Sequence, residues 1–260
     1  MSSGQPRQRA GRFGSEPLDE PELSLGYPMH FEPLGVPEGM EAVFDSAARL
    51  QQVVPDAVLV GGTVSALYAG HRVSFDHDHV LRDLADRYQA VLEAVEATEG
   101  WATSVRASKP PVTIMGRLGG VEAGLRQVRR TTALEVAEFE LDDGRRIRIP
   151  TAAEALRVKA YLIVQRNQVR DYLDVAAMTD RYGVELAGSI LRGIDGYYRD
   201  RSEMDGSVSS MLALRLADPQ PRDERTIHEL ASYKGLAPRW TDWGEVRQVC
   251  AQLAQEMLDQ

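Results

Sequence analysis

Between Val58 and Val80 the chain reads VLVGGTVSALYAGHRVSFDHDHV. An apolar run meets a glycine pair, and the stretch closes on two aspartates separated by one residue, with histidines interleaved. A strand ending in Gly61-Gly62, with Thr63 at the mouth of a helix, lets phosphate oxygens approach the backbone closely. The helix N-terminus and the threonine hydroxyl can then donate hydrogen bonds to them. Glycine pairs also make plain tight turns, so this feature alone is weak. Asp76 and Asp78 are more specific. On an extended strand, residues two apart point to the same face, so both carboxylates converge while His77 and His79 face the other way. Two carboxylates on one face repel each other and are expensive to bury unless a divalent cation or a proton compensates. Magnesium suits such a pair, because it takes hard oxygen ligands and binds through one or two carboxylates plus substrate phosphates. Metal ions held this way stabilise the attacking and leaving oxygens of an in-line phosphoryl displacement. The alternation makes His77 and His79 core or interface histidines; a separate zinc site is the other reading if Asp76 faced them.

The elements that must position these residues can be read around them. Residues 1 to 37 are rich in Pro, Gly, Ser, Glu and Arg, with no sustained helical period, and read as an irregular arm. MEAVFDSAARLQQV, residues 40 to 53, has helical spacing, and Pro55-Asp56 breaks the chain before a strand over 57 to 60. A short helix follows the glycines and stops at Gly70. After the aspartate strand, LRDLADRYQAVLEAVEATEGW is an amphipathic helix closed by Gly100. VTIMGRL, VEAGLRQV, ALEVAEFEL and RRIRIP read as strands, with Gly119-Gly120 and Asp143-Gly144 at hairpin turns. Thr151 and Glu154 have the capping-box spacing at the head of TAAEALRVKAYLIVQR, and VRDYLDVAAMTDRYG makes a second helix almost at once. From Glu185 onward the pattern is helical, interrupted near ADPQPRDE and GLAPRWTDWGE. The order predicts an α+β fold in three parts: the arm over 1–37, a core over 38–185 and a helical C-terminal region over 186–260.

Composition bounds the rest. With 43% hydrophobic and 27% charged residues over 260 positions, the chain is ordinary globular material. One cysteine, Cys250, excludes an intramolecular disulfide framework and fits a reducing compartment. No apolar run approaches the roughly 20 residues of a membrane span, and the arginines at 7, 9 and 12 precede no apolar core of a signal peptide. The expectation is a cytoplasmic protein with no membrane partner. A net charge of -9 argues against indiscriminate nucleic-acid coating. Yet residues 106 to 170 hold thirteen basic residues against seven acidic ones, about +6 in a chain whose remainder carries about -15. That span is either one electropositive cleft or a set of solvated arginines on outward strand faces.

The run Gly-Gly-Thr, then eight residues, then Arg-x-Ser-x-Asp-x-Asp, here GGTVSALYAGHRVSFDHDH, resembles the signature of the nucleotidyltransferase superfamily. It is most similar to the AbiEii/AbiGii toxin-like branch. The downstream block IPTAAEALRVKAYLIVQRNQVRDYLDVAAMTDRYG resembles that branch's second signature, in which a helix carries a lysine, an arginine follows, and Arg-Asp-x-x-Asp opens the next helix. The two blocks occur in the family's order, and the resemblance covers roughly residues 40 to 185. It implies a polymerase-beta-like mixed sheet with flanking helices. By position it implies Gly61, Gly62 and Thr63, with Arg72 and Ser74, as the nucleotide-binding set, and Asp76 and Asp78 as magnesium ligands. Lys159 would then contact phosphates or the developing charge, with Asp171 as the downstream acidic residue and Asp174, three residues on, as a further candidate. Family members carry apolar residues where His77 and His79 stand here. The third carboxylate that many of them hold on a later strand aligns with Gly124, and Glu122 shares that face.

The activity this resemblance implies is magnesium-dependent transfer of an NMP from an NTP to an acceptor hydroxyl, on a tRNA 3′ end or a protein, with an antitoxin protein as the expected partner. Two other functions compete with it. One is a non-catalytic nucleotide- or RNA-binding regulatory module on the same fold; the other is a hydrolase that uses the histidines and an aspartate around a metal. The helical region beyond Glu185 carries no catalytic signature, and its Tyr197, Tyr198, Trp240 and Trp243 read as packing residues.

Overall fold

The computed structural model describes residues 31–199, 201, 206–233 and 235–259. Most of the arm expected at the N-terminus lies outside them. Residues 31 to 36 run without regular structure, tied down by the Leu34 N–H on the Leu67 carbonyl at 3.0 Å and by Phe31 against Tyr182. Among the described residues no helix is long and apolar enough to cross a membrane.

The fold is α+β, with a mixed sheet, flanking helices and a helical C-terminal part. α1 (Glu41–Val53) leads into β1 (Val58–Val60), α2 (Gly62–Ala69), β2 (Asp76–Leu81) and α3 (Leu84–Glu96). Then come β3 (Trp101–Thr103), β4 (Thr113–Leu118), β5 (Val121–Gln127) and the hairpin of β6 (Val136–Glu140) and β7 (Arg146–Pro150). The helices α4 (Ala152–Gln165), α5 (Val169–Tyr182), α6 (Val184–Arg192), α7 (Val208–Ala217), α8 (Arg225–Glu229) and α9 (Trp243–Leu258) follow. The main sheet has the order β1-β2-β5-β4-β3. Only β2 and β5 run parallel; the other neighbours are antiparallel. β4 and β5 join through Gly119 and Gly120, both at positive φ (59° and 87°), which a two-residue hairpin turn of the primed type requires.

The sheet has two unlike faces. Leu81, Ile114, Leu118, Ala123 and Leu125 pack under α1 and α3 with Leu50, Leu84, Val91 and Val95. Each large aliphatic side chain fully buried there is worth roughly 1.5–3 kcal/mol. The opposite face carries Asp76, Asp78, Glu122, Arg117 and Arg126, which is the polar half of the same period-two pattern. A second, larger cluster unites α2 and α4 to α7 with α9, so the C-terminal helices share their core with the helices behind β1.

Three local features differ from the sequence expectations. α3 ends at Glu96, not Gly100, because residues 98 to 100 make the turn into β3, where Gly100 accepts the Gly119 N–H at 3.0 Å. β3 itself, three residues long, carries no readable pattern. Thr151 does cap α4, accepting the Glu154 N–H at 3.2 Å, but the Glu154 carboxylate does not return to it. That carboxylate is buried instead between Arg130 at 2.5 Å and Arg157 at 3.0 Å, and so pins the β5–β6 connection to α4.

His77 and His79 lie on the buried face, as alternation predicts. The Ser46 hydroxyl donates to the Leu118 carbonyl at 3.0 Å, so the His77 Nε2–H donates to Ser46 at 2.9 Å. His77 Nδ1 is thereby left as the acceptor facing His79 Nδ1 at 3.4 Å, and His79 Nε2 has no hydrogen-bond partner among the described residues. Burial pulls the His77 imidazole down from 6.5 to about 4, with Asp76 opposing it, and burial holds His79 well below its ordinary value. Both rings are neutral in the fold, whereas in the unfolded chain they take up protons below about pH 6.5. The unfolded state then binds more protons, so stability is fully present above pH 6.5 and falls as pH drops towards 4. The expected loss is about 4 kcal/mol between pH 7.5 and 5, roughly 2 kcal/mol from each ring, seen as a falling urea midpoint. A His77→Gln, His79→Leu double variant should flatten that dependence; an equally steep slope in the variant would assign the acid sensitivity elsewhere.

Candidate functional site: a glycine turn, a carboxylate pair and a buried charge cluster

The turn from β1 into α2 depends on two glycines for different reasons. Gly61 sits at φ 83°, ψ -155°, a conformation essentially confined to glycine. Gly62 leaves room for the Arg72 guanidinium, which a Cβ there would strike. Among the described residues no side chain caps the N-terminus of α2, and no acidic residue lies in its first turn, so its leading N–H groups and positive dipole end meet no competing side chain there. The Thr63 hydroxyl is buried and donates to the Asp76 carbonyl at 2.6 Å; it ties the turn to β2 and is not presented outward.

β2 runs beside β1 in the register Val60 to Asp78, which brings the carboxylate pair to the glycine turn. A Cβ on Gly61 would lie 3.9 Å from that of Asp78. Asp76 is exposed and accepts the Ser74 hydroxyl on Oδ1 at 2.9 Å; Asp78 is partly exposed and accepts Arg126 Nε on Oδ1 at 3.2 Å. Neither Oδ2 is drawn into these bonds. Two carboxylates at the open edge of a phosphate-sized turn are a hard-oxygen donor set that fits magnesium with the remaining positions filled by water and phosphate. Among the described residues no group of three or more His, Cys, Asp or Glu side chains converges on a metal position, so the histidines and the aspartates do not form one site. Glu122 sits beside Asp76 in register but is exposed and paired to Arg117 at 2.7 Å; Gly124 is the residue beside Asp78.

Behind the turn lies a buried charge cluster that local sequence reading does not rank correctly. Asp174, on α5, is its hub. It accepts Arg72 Nε at 2.7 Å and Nη2 at 3.1 Å, His71 Nε2 at 2.8 Å and Lys159 Nζ at 2.6 Å. Burial pushes the Asp174 carboxyl up, but Arg72, Lys159 and His71 together outweigh it and hold it well below the usual carboxylate range. Burial pulls His71 down despite Asp174, so its ring stays neutral. Asp171 is also fully buried; it takes both arms of Arg166 at 2.7 Å and lies 3.8 Å from Lys159. Three cations against two carboxylates leave the cluster at +1. Lys159 and Gly61 line the same small pocket with Val60, Ser65 and Ala155, so this surplus charge borders the glycine turn.

Of the residues expected to bind nucleotide, Gly61, Gly62, Thr63, Ser74, Asp76 and Asp78 therefore gather at one edge of the sheet, with Lys159 behind them. Arg72 is committed to Asp174, and Asp171 to Arg166. The sequence gives no site role to His71, Arg166 or Arg126; the signal for Arg126 was its shared strand parity with Glu122 and Gly124. The basic span is largely spent internally. At least eight of its thirteen cations, among them Arg117, Arg130, Arg145, Arg146, Arg157 and Arg166, are in ion pairs within the chain.

The C-terminal region buttresses this arrangement. The Ala237 N–H bonds the His71 carbonyl at 2.8 Å, Gly235 packs on Val73, and Asp223 accepts the Val169 N–H at the start of α5 at 2.9 Å.

No protein-family model matches the chain. Over 227 residues, 84% of the chain, it is 30% identical to the heme uptake protein MmpL11 of Mycobacterium tuberculosis, strain H37Rv, and spans 23% of that protein's length. It is 38% identical over 133 residues, 51% of the chain and 13% of the relative, to the mycolic acid-containing lipids exporter MmpL11 of Mycolicibacterium smegmatis. Among solved structures, JHP933 from Helicobacter pylori superposes with a TM-score of 0.43 at 14% identity, covering 84% of this chain and 92% of that one. An antigenic nucleotidyltransferase-like protein from Paracoccidioides brasiliensis gives a TM-score of 0.40 at 14% identity, covering 75% and 99%.

Proposed function

We propose that the chain is a magnesium-dependent nucleotidyltransferase that moves an NMP from an NTP to an acceptor hydroxyl. The observation that carries this reading is the register of β1 and β2, which sets Asp76 and Asp78 directly beside the uncapped Gly61 turn. The backbone N–H groups of that turn would hold the triphosphate. Lys159, which lines the same pocket, would face its negative charge, and Asp174 with Arg72 would hold Lys159 in position. Asp76 and Asp78 would be the magnesium ligands; what magnesium supplies when bound there is stabilisation of charge on the α-phosphate as pyrophosphate leaves. Electrostatic stabilisation by groups fixed in advance is commonly the largest catalytic contribution, and a buried, ion-paired cluster is fixed in advance.

By its resemblance to the AbiEii/AbiGii toxin-like branch, the acceptor would be a tRNA 3′ end or a protein side chain, and the chain would act as the toxin of a toxin-antitoxin pair with a protein antitoxin as partner. A second reading is a non-catalytic nucleotide- or RNA-binding regulatory module. Gly124 beside Asp78 favours it, since no carboxylate stands there to take the acceptor proton. So do the relatives, which are named for uptake or export and of which this chain spans 23% and 13%.

Incubating the protein with each labelled NTP, magnesium and total tRNA, beside an Asp76→Ala control, separates the two. Label entering RNA or protein only with Asp76 intact is the expected result. Nucleotide binding without transfer for all four NTPs would establish the regulatory reading instead.

A further inference from the structure

On the polar face of the sheet, β5 lies beside β2 with Gly124 next to Asp78 and Arg126 next to Val80. The Asp78 carboxylate leans over Gly124 into the space that any side chain at 124 would need: a Cβ there would overlap Asp78 Oδ1 and stand 2.9 Å from Met115 Sδ. From that position Oδ1 accepts Arg126 Nε at 3.2 Å, while Arg126 Nη2 rests 3.4 Å from Met115 Sδ. The ground a further carboxylate would occupy is thus filled by the carboxylate of Asp78 and a guanidinium. The charges agree with this. Glu122 is neutralised by Arg117, so Asp76, Asp78 and Arg126 together leave this edge at -1. Two bare divalent ions would bring four positive charges to an edge with that single net negative charge, next to a guanidinium that repels them.

We infer that Arg126 is a built-in cation that takes the place of a second metal, so that this site accepts one divalent ion and Arg126 competes with it for Asp78. This rests on the nucleotidyltransferase reading of Asp76 and Asp78. Arg126 is about half exposed, at 45%, and its pair with Asp78 is of the weak, solvent-screened kind, which is the property a displaceable contact needs. When the ion takes Asp78, the guanidinium is released beside it and is available to phosphate oxygens, with which its fork pairs well. Arg126 is in these terms a positioning residue for Asp78 and a specificity residue for metal number.

The test is Mn²⁺ binding followed by electron paramagnetic resonance, with and without a non-hydrolysable NTP analogue, on the wild type and on Arg126→Ala, Arg126→Lys and Asp76→Ala. One Mn²⁺ per chain is expected in the wild type. Arg126→Ala should bind Mn²⁺ about tenfold more tightly without nucleotide, because a competing charge is gone; Arg126→Lys should return close to the wild-type affinity. A purely structural role for Arg126 would weaken binding or leave it alone, so either result overturns the proposal, as does a second equivalent of Mn²⁺ in the wild type. Two ions that both depend on Asp76 would overturn this inference alone. Mn²⁺ binding that ignores Asp76→Ala would remove the nucleotidyltransferase reading along with it.

Discussion

Asp174→Ala is expected to cost about 3–5 kcal/mol of folding stability, a large share of the roughly 5–15 kcal/mol that holds a typical domain together. The reason is arithmetic of charge, not loss of one contact. Asp174 is fully buried and is the shared acceptor for Arg72, Lys159 and His71. Without it, Arg72 and Lys159 remain buried, with Asp171, already engaged by Arg166, and the exposed Asp76 left to offset them. Stranding a buried charge costs far more than the pair itself contributes. Urea unfolding at pH 7.5 measures this; a loss below about 1 kcal/mol would mean that water reaches the cluster. An Arg72→Ala, Asp174→Ala double variant should lose markedly less than the sum of the single losses, since the two side chains act through one interaction.

Asp76→Ala is expected to do the reverse: to leave stability within about 0.5 kcal/mol of the wild type and to lower the rate of nucleotidyl transfer by roughly 10³-fold, equivalent to about 4 kcal/mol at the transition state. Asp76 is exposed, its carboxylate bonds only the Ser74 hydroxyl among these side chains, and removing it relieves repulsion with Asp78. The fold therefore has little to lose. Transfer has much to lose, because half of the oxygen donor set for the ion goes with it. Turnover measured against an unfolding curve on the same preparation checks both halves. Transfer within tenfold of the wild type would remove Asp76 from the mechanism.

What could be read before the structure was whatever local periodicity encodes. The alternation of Asp76, His77, Asp78 and His79 between two faces follows from the pleat alone, and the observed burial follows it residue by residue. Gly119-Gly120, Gly70 and the Thr151 cap were legible for the same reason, since each is a backbone requirement met within a few residues. What stayed hidden depends on partners far along the chain. Asp174 looked secondary to Asp171 because its ligands Arg72 and His71 lie more than 100 positions upstream. Glu154 looked like a capping residue because Arg130 arrives from a different segment. The charge of the basic span looked available because its internal ion pairs depend on tertiary packing. Strand order was beyond reach too: the parallel meeting of β2 and β5, which sets Gly124 and Arg126 against Asp78, is a pairing across some forty residues.

The contacts from Asp223 to the start of α5 and from Ala237 to His71 carry a consequence for the order of assembly. During synthesis from the N-terminus, β2, α4 and α5 emerge before either buttress exists. The nascent chain thus holds Arg72, Lys159, Asp171 and Asp174 with the first turn of α5 still lacking its acceptor and the His71 segment unpinned. Contacts separated this far in sequence close late, because loop entropy must be met before they give anything back. The buried, net-positive interior behind the glycine turn is completed only when residues 223 to 237 arrive, which makes the competence of this site depend on contacts made from beyond α7.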